Sequence, residues 1–413
     1  MDLRQGPHPC RTAVPPPILV THLMIRRVLQ FSSNLNVYGV SHYMRILGCG
    51  LRDRGVHVGV AAFGVGGTYD RAWFEREGFS VLQIPFKFPL YRRLWSPTNL
   101  RNALGTLRSI NSIVDEFQPD VVQANSGQLA GLFRICNALR RRPVPLVSCI
   151  HGDSGAPDKL RIGRLANRIL PDTYGSRSIA ISTEMIDFLA KVIGIAPARI
   201  RLVRYAIDDK AFRPPLPEER RASREALGLA PDAWVVCLIG QYVHRKGHDI
   251  LIDAAALLRD RGHRIEMVCA GEHHFEAAYK AKLMQQARDR GVADQLILRG
   301  HSDPREILWA SDIGVLPSRQ EGFGLVVAEG MSCGVVQIRT PAAGARDTTI
   351  DGDTGFLVPF DDPAALADRI QRLIENPDLL RTMRARSIAF AHERFATDRM
   401  VEETLRVYEE VVA

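Results

Sequence analysis

Glu321 and Glu329 bracket the stretch EGFGLVVAEG, with two glycines after the first acid and an apolar run before the second. Helix signals begin near Phe323 and stop at Gly334, a residue type that commonly follows a helix end. This reading puts Glu321 in a loop and Glu329 about two turns into the helix. At a rise of roughly 1.5 Å per residue, the two acids stand on the order of 10 Å apart. A retaining glycosidase wants its carboxyls about 5–5.5 Å apart and an inverting one about 6.5–9.5 Å. The pair suits gripping two parts of one long ligand better than it suits glycoside hydrolysis. Gly322 and Gly324 let the backbone approach a ligand closely. The free amides of the helix start favour an anion there. A hydroxylated ring at Glu321, phosphates at the helix start and a second sugar near Glu329 together describe a nucleotide sugar. The competing reading is a capped surface helix with incidental acids.

Two further groups have chemical potential. In GQYVHRKGHD, Arg245 and Lys246 stand between a strand end and a helix that begins near His248. Adjacent cations at that point suit a diphosphate, clamping the charge that grows on a leaving group; the alternative is a solvated basic turn. His151 closes the run PLVSCI and precedes Gly152, so its ring can face a site, although a lone His is also a common structural residue. The seven Cys show no C-x-x-C spacing and no clustered His. That argues against structural zinc and a disulfide framework and for a reducing cytoplasm.

Strands alternating with amphipathic helices must position these groups. RRVLQFSS, VHVGVAAFG, PDVVQAN, PLVSCIHG and SIAIS read as strands of a first half, with a helix over about 41–54. AWVVCLIGQ, RIEMVCAGE, QLILRG, DIGVLPS and GVVQIRT restart the rhythm. The 413 residues thus predict an α/β protein of two Rossmann-like, doubly wound domains facing each other across a cleft. Residues 1–25 read as a disordered leader, 26–206 as the first domain, 207–386 as the second, and 387–413 as a C-terminal helix crossing back to the first. DDKAFRPPLPEERR, with three prolines and many charges, reads as a linker. Ligands of such sheets bind beyond the carboxyl ends of the strands. That rule selects Gly39, His151, 240–247, 300–302 and 317–329.

The net charge of +8 is divided unevenly. Residues 1–206 carry 27 Lys and Arg against 13 Asp and Glu, or +14, while residues 207–413 carry 27 against 33, or −6. The first half therefore suits an anionic partner: a membrane surface, an acidic lipid or a phosphorylated acceptor. Solvated charges are the plain alternative, and no nucleic-acid motif accompanies the basic residues. FKFPLYRRLW (86–95), RRRP (140–143) and KLRIGRLANRIL (159–170) are the basic segments suited to a membrane surface. No run approaches the roughly 18 apolar residues that a membrane span requires.

Over roughly 26–413 the chain resembles the GT-B glycosyltransferases of the large retaining family with an E-x7-E motif (group 1, family 4). LPSRQEGFGLVVAEGMSCG carries most of the likeness, with GVSHYMRILGCGLRDRGVHV, PDVVQAN, IHGD and GDTGFLVPFDDPAALADRI in support. The resemblance implies that Glu321 contacts donor-sugar hydroxyls and Glu329 the ribose, while Arg245 and Lys246 grip the diphosphate. It places His151 near the donor sugar, Gly39 near the phosphates and the Gly300-His301 loop against the base. Gln241 and the turn Gly322-Phe323-Gly324-Leu325 complete the expected donor site. Gln241 stands where many members have Arg, and Arg245 is expected to replace that cation. Tyr205-Ala206 replaces the usual Asn-Gly, Tyr38-Gly39 a pair of glycines, and Asp347 an acid usually found after AAGA.

The implied reaction moves a hexose-type sugar from a UDP- or GDP-sugar, with retention and without a metal or other cofactor. The expected acceptor is a lipid-linked or cell-envelope glycan, and the expected location is the cytoplasm or the inner face of the membrane. Competing readings are a nucleotide-sugar epimerase, a phosphorylase and a non-catalytic nucleotide-sugar-binding protein. A dinucleotide oxidoreductase is disfavoured, because the first loop lacks G-x-G-x-x-G.

Overall fold

Strands such as Val121–Ala124, Leu146–Ile150 and Ile313–Leu316 are buried at every residue. Parallel strands covered by helices on both faces have this property. The computed structural model describes residues 24–35, 39–64, 68–84, 97–151, 176–271, 276–300 and 302–413. Residues 1–23 of the expected leader, the whole of the segments 86–95 and 159–170, and His301 lie outside the described residues. The chain divides into two compact units, Met1–Ala206 with Thr397–Ala413, and Ile207–Ala396.

The first unit runs β1 (Arg27–Asn34), α1 (Gly39–Arg52), β2 (His57–Gly64), α2 (Thr68–Arg76), β3 (Ser80–Gln83), α3 (Pro97–Phe117), β4 (Val121–Ala124) and α4 (Gly127–Ala138). It continues through β5 (Leu146–Ile150), β6 (Arg177–Ala180), α5 (Thr183–Asp187, extended by a π-helical turn Phe188–Ile193) and β7 (Ile200–Leu202). Every pairing is parallel, in the order β3-β2-β1-β4-β5-β6-β7. Val28 of β1 sits opposite Val58 on one side and Val121 on the other. Leu29 and Phe31 of β1 pack with Ile110 and Val114 of α3 and with Phe133 of α4.

The second unit runs α6 (Pro217–Ala226), β8 (Val235–Ile239), a 3-10 turn (His244–Lys246), α7 (His248–Asp260), β9 (Glu266–Ala270), α8 (Glu276–Asp289) and β10 (Leu296–Arg299). Next come α9 (Pro304–Ala310), β11 (Ile313–Leu316), α10 (Leu325–Ser332), β12 (Val336–Arg339), α11 (Ala345–Thr348), β13 (Gly355–Leu357), α12 (Pro363–Glu375) and α13 (Pro377–Arg394). This sheet is also parallel, in the order β10-β9-β8-β11-β12-β13. The order reverses between β1 and β4 in one sheet and between β8 and β11 in the other. Such reversals open a crevice at the carboxyl ends of the strands. The residues singled out above lie at those ends.

The last helix, α14 (Thr397–Val412), belongs to the first unit and buries Met400, Val401, Thr404 and Tyr408. Its start is tied by Arg54 to Asp398 at 2.8 Å, and its end by Arg177 and Arg201 to Glu410 at 3.0 and 2.7 Å. The sequence reading puts one returning helix at 387–413. The structure has two, because α13 ends at Arg394 and stays with the second unit.

The expected linker is also structured at its end. The Leu216 amide donates to Glu219 Oε2 at 2.7 Å, and Arg213 forks onto the same carboxylate at 2.8 and 2.7 Å, so α6 starts at Pro217. Arg220 and Arg224 of α6 then reach Asp312 at 2.6 and 2.9 Å. Arg224 also donates to the carbonyls of Ala310, Pro231 and Ala233. The charges that read as solvated linker are internal fasteners. With the Arg224 side chain only 6% exposed, Asp312→Ala leaves a buried guanidinium without its counter-charge. The expected loss of second-unit stability is about 3–5 kcal/mol, read by denaturant titration. An unchanged midpoint would refute the fastening role.

Candidate functional site

The loops after β8 and β11 are welded together by their main chains. Gly247 takes φ 74°, and a side chain there would run into the carbonyl oxygen of Pro317. The Arg319 amide donates to the Arg245 carbonyl at 2.8 Å. Its guanidinium donates to the His244 carbonyl at 2.7 Å, to both Asp249 oxygens at 3.0 and 2.8 Å, and to Asp361 at 2.6 Å. One arginine thus fixes the basic turn against the loop that carries Glu321.

That weld brings Lys246 Nζ onto Glu321 Oε1, with the two side chains only 13% and 7% exposed. The Ser318 hydroxyl donates to the same oxygen at 2.8 Å, and Thr340 Oγ1 holds the Ser318 carbonyl at 2.5 Å. Burial pushes the Glu321 carboxyl up, but the Lys246 charge and hydrogen bond, the Ser318 hydroxyl and the Arg339 charge outweigh it. The net result lies below the ordinary value. Glu321 is therefore a carboxylate at neutral pH. An ammonium has three donors, and one of those of Lys246 goes to Glu321. Arg245 is exposed, and its Nη2 donates to Gln241 Oε1 at 3.1 Å. Gln241 acts here as a tether for that cation.

Gly324 heads α10 with φ 79° in the left-handed region, so the helix begins at Leu325, two residues later than expected. Glu329 consequently sits about one turn into α10, not two, and it is buried. Beneath Gly324 lies Arg339, wholly buried. It donates to the carbonyls of Phe323, Ala342 and Ala343 at 3.2, 3.3 and 3.0 Å and to Thr348 Oγ1 at 2.7 Å. A Cβ on Gly324 would stand 3.1 Å from that guanidinium and from Leu316. The Phe323 ring is buried edge-on against Phe395 at 5.7 Å, and its carbonyl is held by Arg339.

At the end of β9 and β10, the Tyr242 hydroxyl stands 2.7 Å from the carbonyls of both Cys269 and Arg299 and fixes the start of the Gly300 turn. Its ring stacks on His248 at 5.0 Å. His248 is wholly buried, and among the described residues neither ring nitrogen has a hydrogen-bond partner.

Gly39 and His151 belong to the first unit. Gly39 is the exposed first residue of α1. His151 follows β5, with its ring stacked on Tyr205 at 5.6 Å and edge-on to Tyr43 at 4.8 Å. Its Nδ1 lies 2.5 Å from the Tyr205 hydroxyl and its Nε2 3.2 Å from Asn125 Oδ1. Desolvation by burial lowers its pKa to about 3, so the ring is neutral.

The second unit thus assembles Lys246, Arg245, Gln241, Glu321, the Gly322–Leu325 turn and Glu329 around the ends of β8 and β11. Sequence reading selected the stretch 317–329 without giving Ser318 or Arg319 a role, and it missed Arg339 and Thr340. The one available signal was an arginine closing the apolar run of β12.

"Glycosyl transferases group 1" matches residues 219–390, and "Glycosyltransferase Family 4" matches residues 37–211. The D-inositol 3-phosphate glycosyltransferase 1 of Catenulispora acidiphila is 30% identical over 321 residues, covering 71% of this chain and 72% of its own. A glycosyltransferase from Rickettsia africae ESF-5 superposes with a TM-score of 0.81 at 18% identity, covering 94% of this chain and 99% of its own. Anabaena Alr3699/HepE in complex with UDP-glucose gives a TM-score of 0.77 at 22% identity, covering 93% of this chain and 98% of its own.

The buried histidines set an acid limit on stability. Burial lowers His248 to about 3, against an ordinary value of 6.5, so the native state resists a proton that the unfolded state accepts. Stability should fall as pH drops from about 6.5 toward 3, by up to about 1.4 kcal/mol per pH unit for each such group. His248→Phe, which removes two unpartnered nitrogens, should flatten that slope by one proton and raise the melting temperature at pH 7. Melting curves across this range check both. An unchanged slope would contradict the neutral buried ring.

Proposed function

Because the chain belongs to the group 1 glycosyltransferases and has the GT-B fold, we propose that it transfers a hexose-type sugar from a UDP-sugar, or failing that a GDP-sugar, to an anionic acceptor with retention of configuration. The carrying observation is the buried Lys246–Glu321 pair set beside the start of α10. Lys246 and Arg245 would take the diphosphate together with the first-turn amides of α10. Glu321 accepts from sugar hydroxyls and Glu329 from the ribose, while the Gly300 turn reads the base. The UDP-glucose found with the Anabaena protein supports UDP as the first base to test.

No carboxylate is assigned as a nucleophile, so the reading is a front-face transfer. The bond from the anomeric carbon to the phosphate oxygen breaks, and the bond to the acceptor oxygen forms on the same face. The acceptor proton passes to the departing diphosphate. The protein supplies orientation and charge stabilisation, and the two cations take the part that a divalent metal would otherwise play. His151 is read as a hydrogen-bonding partner of the donor sugar.

For the acceptor, the basic first unit favours a lipid-linked or cell-envelope glycan reached from the inner face of the membrane. The exposed Arg141 and Arg142 follow Leu139 and Ile135, which are 72% and 44% exposed at the end of α4; Arg140 is held by Asp115, and the exposed groups suit an anionic surface. Among the described residues no helix is long and apolar enough to cross a membrane, so the association would be peripheral. A small phosphorylated polyol is the second reading, favoured by the relative named for D-inositol 3-phosphate.

A thermal-shift panel of UDP-, GDP- and ADP-sugars should give one clear stabilisation, about 2.7 kcal/mol at a hundredfold excess over Kd. That donor should then release nucleoside diphosphate in the presence of EDTA. Lys246→Ala should slow transfer by about 10²–10³, measured where circular dichroism shows the variant folded; full turnover would sink the clamp. Isomerisation of the donor without acceptor would instead identify an epimerase. Co-sedimentation with anionic but not neutral vesicles at moderate salt is expected, and would fail if the surface role were wrong.

A further inference from the structure

The His151 ring ends a line of buried polar side chains that begins on the last helix. The Tyr408 hydroxyl of α14 donates to Gln123 Oε1 at 2.6 Å. Gln123 Nε2 donates to Asn125 Oδ1 at 2.9 Å and to the Tyr43 hydroxyl at 3.4 Å. Asn125 Oδ1 meets His151 Nε2, and His151 Nδ1 meets Tyr205. Gln123, Asn125, Tyr43, Tyr205 and Tyr408 are all buried.

The lengths give the line a direction. A contact of 2.6 Å suits O–H···O, and one of 2.9 Å suits N–H···O, so the Gln123 oxygen faces Tyr408 and its nitrogen faces Asn125. Asn125 then turns its oxygen toward both Gln123 and His151. A carbonyl oxygen only accepts, so His151 must supply Nε2–H. A neutral imidazole has a single N–H, so Nδ1 carries a lone pair and the Tyr205 hydroxyl donates to it.

We propose that Tyr205 is a positioning residue for the transfer, its hydroxyl locking the His151 ring in place as the Nε2–H tautomer. The one N–H of His151, which lies on Asn125 Oδ1 in this structure, is then what an incoming sugar hydroxyl has to share, and the ring is not a base. This rests on the reading of His151 as a donor-sugar partner. It also gives a role to a tyrosine that stands where the resembled family has Asn. The groups packed around the ring keep it neutral. Burial pushes Tyr43, Tyr205 and Tyr408 well above their ordinary value of 10 and Cys149 to about 12.

The test is ¹⁵N NMR of the full chain with labelled histidine, using His151→Asn to assign the ring signals. In the wild type, Nδ1 should be unprotonated and Nε2 protonated throughout the neutral range, with no titration near the ordinary histidine value. Tyr205→Phe should mix the two tautomers and move the His151 midpoint up. It should lower kcat by about tenfold, the size of one lost hydrogen bond to a charged or strongly polar partner, and change the donor KM less. A protonated Nδ1 in the wild type would overturn the proposal without any variant. A His151 ring indifferent to Tyr205→Phe would also overturn it. If the ring behaves as expected while His151→Asn keeps wild-type kcat and KM, the tautomer lock stands. In that case the sugar role of His151 falls, and with it the part of Tyr205 in transfer.

Discussion

A lysine and a glutamate taken out of water together, Lys246 and Glu321, constrain much of what surrounds them. Removing two charges from solvent costs several kcal/mol each, and their attraction offsets this only when the geometry is fixed and the spare lone pairs are satisfied. The geometry is fixed by parts with no direct chemistry. Arg319 joins the two loops, Gly247 lets them touch, Ser318 adds a second donor to Glu321 Oε1, and Thr340 holds the Ser318 carbonyl. Hydrophobic residues of similar volume often stabilise as well as such a pair, so the proposed ligand role explains it better than the fold does. A phosphate near Lys246 and a hydroxyl near Glu321 would each meet a group already oriented.

The first unit handles polarity differently. Among the described residues, the His151 ring meets the phenols of Tyr205 and Tyr43 and the amide of Asn125, and burial keeps the imidazole neutral. Such networks are costly when partly satisfied and rigid when fully satisfied. The second unit thus holds a buried charge pair and the first a set of oriented dipoles. The division matches the reaction proposed, in which the leaving group gathers negative charge while the sugar hydroxyls remain neutral.

Much of this was legible in the sequence, for a physical reason. Central parallel strands are covered on both faces, so β8 and β11 appear as apolar runs, as do β4, β5 and β12 apart from the buried Gln123, Ser148 and Gln337, and the polar residues that close them mark the candidate site. The unread strands, β3, β7 and β13, lie at sheet edges with partly exposed residues. They have no such run. The two-residue error at the start of α10 comes from Gly324, whose left-handed backbone no periodicity reports. The linker misreading has the opposite origin: charges on Arg213, Glu219 and Arg220 suit a linker until their partners, such as Asp312 for Arg220, are known. Arg339 shows the same limit, since a buried arginine is identified by the carbonyls around it.

The division of the chain, with one contiguous unit inserted between two pieces of the other, sets an order of events on the ribosome. Residues 207–396 can complete their sheet as soon as they emerge, whereas β1 to β7 wait for α14. At roughly 5–20 residues per second, that wait is about 10–40 s. Throughout it, the seat of Val401 and Tyr408 stands open and Gln123 lacks the phenol that orients it. The half that is made first is finished last.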